Sequence, residues 1–286
     1  MSEPALAPEA PASASAAWLL ATPFATLLAA IALVGAHARV SLGAAEAITF
    51  AGGVLLSVVP LGLAARGQLA RREALVFPLL TGAPVALALA LGKPVPHVFV
   101  NFTLVMIAHA VGGAIGSRVI HPGHILPASI VAAAADVLSL VHPEGPSHAI
   151  VESERALSLL AIHFPVPGLG VMAPVLGLGD LVFLSLVLAV VVRHRLSLFR
   201  AAALGLAGVL GAGFFSALLE APVPALIPIA AAITAGLPEA RALRPQDRRT
   251  TRIAAVLAIG VVAGVLLQRA LLPPSGPPHP PAPMNP

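Results

Sequence analysis

An all-α protein, a polytopic bundle of about nine transmembrane helices, is the fold this sequence predicts. Three observations predict it. Of 286 residues, 58% are hydrophobic and only 10% charged, where a soluble domain carries roughly 25% charged residues. The apolar residues gather into runs of about 20, the length that crosses a hydrocarbon core. Aromatics make up 4% of the chain and Tyr is absent, which argues against the aromatic girdles of a membrane β-barrel. A water-soluble enzyme is excluded by the shortage of polar surface, and a disordered chain by the apolar excess. With no cysteine, a disulfide framework, a thiolate nucleophile and a Cys metal site are excluded too.

Taken in order, residues 1–16 are rich in Ala, Pro and Ser and hold no Arg or Lys. They read as a disordered N-terminal tail rather than a cleaved signal, which needs a basic start. A transmembrane helical domain covers 17–272. Its spans are bounded by charges or His: Ala17–Ala36, Ala44–Ala65, Ala74–Leu91, Val98–Ser117, Ile125–Val141, Ala173–Val192, Leu198–Leu219, Pro222–Gly236 and Ile253–Leu271. Between the fifth and sixth lies one long loop, 142–172, whose middle, Ala149–His163, is expected to form a short amphipathic surface helix. Residues 273–286 are a Pro-rich C-terminal tail of extended polyproline type.

Orientation follows from the basic residues. Arg66, Arg71, Arg72, Arg118, Arg193, Arg195, Arg200, Arg241, Arg244, Arg248, Arg249 and Arg252 fall on one side. Arg39, Lys93, Arg155 and Arg269 fall on the other. The first set marks the cytoplasmic face, so the N-terminus is expected inside and the long loop outside.

Only three Asp occur: Asp136, Asp180 and Asp247. Asp247 sits in a basic loop, but Asp136 and Asp180 sit in apolar stretches. A charge at the bilayer centre costs about 2.5–3.5 kcal/mol on insertion scales, so an intramembrane acid is a functional candidate by default. Counted along their helices, the two lie ~9 Å and ~10 Å from the same loop, hence from the same face. Adjacent antiparallel helices would set the carboxyls side by side. Two such groups cannot both ionise cheaply and hold one proton between them. One carboxylate then takes a proton from water while the other acid polarises a carbonyl. Gly177 and Gly179 remove side chains just ahead of Asp180, so a neighbouring helix or an extended substrate can approach. Downstream, Pro222, Pro224 and Pro228 prevent a regular helix start, and span parity returns this end to the face of the long loop.

A lone intramembrane Asp136, then Gly177-Leu178-Gly179-Asp180, then Pro224-Ala225-Leu226 resembles the GxGD intramembrane aspartyl proteases: the presenilins, the signal peptide peptidases and their prokaryotic homologues. The resemblance covers about residues 95–236. It implies that Asp136 and Asp180 are the catalytic pair and that Gly177, Leu178, Gly179, Pro224, Ala225 and Leu226 shape the site. It implies no cofactor and no metal, and as substrates the transmembrane segments or signal peptides of membrane proteins. The implied location is a prokaryotic cytoplasmic membrane, with an orientation resembling that of signal peptide peptidase. The chain departs from the family at Ala135, where the family has Tyr, and in one further span after Pro-Ala-Leu.

Two other readings stand beside this one. Paired membrane carboxylates and Pro-broken helices also suit a proton- or ion-coupled transporter, and a catalytically inactive homologue would serve as a scaffold. Asn101 and His109, in the fourth span, read as interhelical hydrogen-bond partners. No HExxH occurs to support a zinc protease. The run Arg241–Arg252 reads as a topogenic loop that touches anionic lipid, and no nucleic-acid partner is expected.

Overall fold

In the computed structural model of the chain, the described residues are 25–27, 29, 41–67, 71–93, 96–142, 145–220 and 223–271. The tails 1–16 and 273–286, most of the expected span Ala17–Ala36, and Pro222 lie outside them. The described chain is mostly helical. Its elements run α1 (Leu42–Gly67), α2 (Arg71–Ala90), α3 (His97–Gly116), α4 (Ile125–Val141), α5 (Pro146–Glu152), α6 (Glu154–Leu160), β1 (Ala161–Pro165), β2 (Met172–Gly177), α7 (Leu178–Arg193), α8 (Leu198–Leu219), α9 (Leu226–Gly236) and α10 (Pro245–Leu271). Short 3₁₀ turns at Pro122–His124 and Pro238–Arg241 precede α4 and α10. Among the described residues, four helices are long and apolar enough to cross a membrane: 42–66, 97–116, 122–141 and 198–219.

The core lies where α3, α7 and α1 meet, with Phe102, Met106, Leu61, Leu181, Leu184 and Leu188 fully buried. α3 and α7 make the most extensive helix contact, and two glycines one turn apart allow it. A Cβ on Gly112 would meet the Val182 carbonyl and the Ser185 Cβ, the latter at 2.8 Å. One on Gly116 would meet the Ala189 Cβ at 2.8 Å. Small residues at this spacing let two helix backbones touch, which is how membrane helices gain dispersion contact without a hydrophobic driving force. α8 then packs on α9 and α1, while α4 packs on α9 and α10.

Two expectations change in the segment between α4 and α7. The expected span Ala173–Val192 is not one helix: 172–177 form β2, and α7 starts at Leu178. Pro174 cannot donate to a helix ladder, and β2 instead pairs antiparallel with β1. The expected surface helix 149–163 divides into α5, α6 and a strand. Ser153 breaks it, ending α5 and capping α6 with a hydroxyl that accepts the Ala156 N–H at 3.2 Å. The two-stranded sheet therefore adds a β element to an otherwise all-α architecture.

The hairpin turn is built on Gly168 and Gly170, both at positive φ (78° and 65°), a conformation open to glycine at no steric cost. The hairpin is seated inside the bundle. All five residues of β1 are buried, and β1 lies against both α1 and α3. On α1, Gly52 and Gly53 leave a notch: a Cβ there would meet the Phe164 ring at 2.6 Å and Val175 at 2.9 Å. The Thr49 hydroxyl donates to the Ala45 carbonyl at 2.7 Å and also reaches the Pro165 carbonyl, at 3.2 Å.

Candidate active site

Asp136 stands five residues before the end of α4. One of its carboxylate oxygens accepts the backbone N–H of Leu226 at 3.0 Å. Leu226 is the first residue of α9, so its N–H has no acceptor within its own helix. The prolines explain why the helix starts there: Pro224 has no N–H and lies just outside, and Ala225 precedes the first helical residue. Asp136 thus supplies from another helix the acceptor that a capping side chain would supply locally, at the end of α9 that carries positive dipole charge.

Asp180 is the third residue of α7. Its carboxylate accepts the Gly177 N–H at 3.2 Å, the N3 half of a capping box. Asp136 lies close enough to act electrostatically on Asp180, and α4 touches both α7 and α9. Both carboxyls are partly buried. The fold thus brings Asp136, the Gly177–Asp180 segment and Leu226 to one place. Leu178 packs against the core, as does Ala225.

The two glycines before Asp180 do not serve helix packing. Among the described residues, a Cβ on Gly179 would meet nothing within 4 Å, and one on Gly177 only the Asp180 carboxylate, at 3.4 Å. Backbone geometry does not require glycine either, since Gly177 has φ −78° and Gly179 is not at positive φ. The space beside Gly179 is open next to Asp180. β2, which leads into this point, pairs among the described residues with β1 alone, along one edge.

Asn101 has a role that periodicity did not reveal. Its side-chain amide donates to the His163 carbonyl at 2.7 Å, and its oxygen accepts the His163 N–H at 2.8 Å. It therefore acts as a third strand for β1, at the position where the opposing Pro174 has no N–H to offer. The His163 ring stacks on His97 with centroids 4.2 Å apart, and its Nδ1 lies 2.8 Å from the Ala161 carbonyl. Burial, aided by the neighbouring His97, pushes the His163 pKa down to about 4, so the ring is neutral at pH 7. Nδ1–H is then the donor to Ala161. His109, expected as a hydrogen-bond partner, has no partner for its Nδ1 among the described residues. Nor does any group of three His, Asp or Glu suited to a metal occur among them.

The chain matches no family model, no curated protein and no solved structure.

Proposed function

We propose that the chain is an intramembrane aspartyl endopeptidase of the GxGD type, hydrolysing peptide bonds within transmembrane segments or signal peptides of membrane proteins. The observation that carries this reading is the bond from Leu226 N–H to Asp136. It ties the lone Asp of α4 to the Pro-Ala-Leu element, with Asp180 close enough to feel the same charge. A carboxylate that only capped α9 would not need a second acid at that point, because burying two like charges together is costly.

In this reading, Asp136 and Asp180 share one proton. The ionised carboxylate takes a proton from water as the water attacks the scissile carbonyl. The protonated partner donates to that carbonyl oxygen, and proton return to the departing amine completes cleavage without a covalent enzyme intermediate. A substrate helix must unwind first, and its freed backbone groups need partners in place of its own ladder. In this reading the edge of β2 that does not pair with β1 and the open space beside Gly179 would receive an extended segment. The presenilin-like arrangement, the nine spans, the external catalytic face and residence in a prokaryotic cytoplasmic membrane belong to this proposal.

The test is incubation of the purified protein in detergent with a tagged single-span substrate, beside proton uptake by proteoliposomes. Cleavage supports the protease. Proton uptake that needs both aspartates, with no cleavage, would assign the pair to a transporter instead.

A further inference from the structure

At the end of α4 remote from Asp136, an open concavity of about 430 Å³ lies between the start of α4, the 3₁₀ turn Pro238–Arg241 and α10. Leu126 lines it from α4 and Arg241 from the turn. Arg248, Thr251, Arg252 and Ala255 line it from α10, at the i, i+3, i+4, i+7 spacing that places residues on one helix face.

A topogenic loop needs only an excess of Arg somewhere near the membrane. It does not need three Arg from two elements lining one concavity. None of the three pairs with a carboxylate among the described residues. Asp247, next to Arg248 in sequence, is engaged by His124, whose Nε2 lies 3.2 Å from its carboxylate. Unpaired guanidinium forks around a cavity match the planar, multi-acceptor oxygens of a phosphate. The rest of the wall is apolar at Leu126 and Ala255. Beyond Arg252, α10 continues outward with Ile253, Val256 and Leu257 at 50%, 69% and 62% exposure. An occupant with a phosphate at one end and hydrocarbon at the other would satisfy both surfaces.

We infer that this cavity is a binding site for the phosphate headgroup of an anionic phospholipid, held by Arg241, Arg248 and Arg252, with the acyl chains along the exposed apolar side of α10. The site is independent of the proposed proteolysis: it lies at the opposite end of α4 and stands whether or not Asp136 and Asp180 cleave anything.

The test is lipid retention by the full-length protein, measured by native mass spectrometry from detergent with added phosphatidylglycerol or phosphatidylcholine. Phosphatidylglycerol is expected to be retained at least about tenfold better. The triple variant Arg241→Gln, Arg248→Gln, Arg252→Gln is expected to abolish that preference. The triple variant Arg193→Gln, Arg195→Gln, Arg200→Gln, which removes equal charge outside the cavity, is expected to keep it. Ala255→Leu, which narrows the apolar wall of the cavity with every charge in place, is expected to lose it as well, and this covers the case in which the Arg triple does not fold. Equal loss in both Arg triples, or full retention in Ala255→Leu, would overturn the site in favour of diffuse attraction. Inorganic pyrophosphate that binds alone and displaces the lipid at equal concentration would overturn the lipid assignment and make the ligand a soluble phosphate.

Discussion

The backbone N–H of Leu226 donates to the carboxylate of Asp136 across 3.0 Å, joining two helices that are 90 residues apart in sequence. Neither partner has a local substitute. Leu226 is a first-turn residue without an intrahelical acceptor, and Asp136 sits in an apolar helix with no basic residue on it.

Removing the acceptor should therefore destabilise the junction of α4 and α9. Asp136→Ala is expected to lower stability by about 1–3 kcal/mol, the range for stranding a buried donor. Asp136→Asn, which keeps an acceptor oxygen, is expected to lose less than about 1 kcal/mol. Thermal unfolding in detergent separates the two, and equal midpoints for Ala and Asn would argue that water replaces the carboxylate at no cost.

Gly179 separates a packing role from a substrate role. A Cβ there meets nothing within 4 Å among the described residues, and Gly inside a helix is unfavourable by about 1 kcal/mol relative to Ala. Gly179→Leu is expected to leave the unfolding midpoint unchanged or slightly raised. Cleavage is expected to fall at least about tenfold, because the new side chain occupies the space beside Asp180. A drop in stability together with activity would mean that the glycine serves packing after all.

Gly112 and Gly113 make the opposite comparison. Gly112 lies against the α7 backbone, while a Cβ on Gly113 meets nothing within 4 Å among the described residues. Gly112→Leu is expected to separate α3 from α7 and destabilise by more than about 2 kcal/mol. Gly113→Ala is expected to be neutral or stabilising by a few tenths of a kcal/mol. Detergent unfolding curves of the two variants provide the check.

The hairpin should loosen in acid. The His163 pKa is pushed down to about 4 by burial and by His97, from about 6.5 in an unfolded chain. The unfolded state therefore binds a proton that the folded state refuses. Stability from this group is fully present above about pH 6.5 and is lost as pH falls towards 4. The protection factor of amides over 161–177, taken against the intrinsic exchange rate at each pH, is expected to fall across that window in the parent protein. It is expected to lose this step in His163→Gln. Asn101→Leu, which removes both bonds to the His163 backbone, is expected to accelerate exchange at every pH.

Much of this architecture is written in the hydropathy. The expected spans Ile125–Val141 and Leu198–Leu219 coincide with α4 and α8, because each is a predominantly apolar run, with one charge apiece at Asp136 and Arg200, between polar flanks. The segment before Asp180 was not legible in that way. From Val171 the chain stays apolar up to Asp180, so hydropathy alone merges a strand and a helix. Other signals there mark the break: Pro167-Gly168-Leu169-Gly170 is a turn signature, and Gly177 followed by Asp180 three residues later is a helix start. The order Asp136, Gly177–Asp180, Pro224–Leu226 is visible in the chain. That an α4 oxygen meets an α9 amide depends on how those helices pack, which no local pattern encodes. The Asn101 clamp on His163 is similarly hidden, since its partner is a backbone rather than a side chain.

The aspartate pair is tested most directly by cleavage of a tagged single-span substrate by purified parent protein, Asp136→Asn and Asp180→Asn, each first shown to unfold cooperatively in detergent well above the assay temperature. Cleavage by the parent and none by either variant is expected, because each acid does what the other cannot. Cleavage that persists in either variant would contradict it.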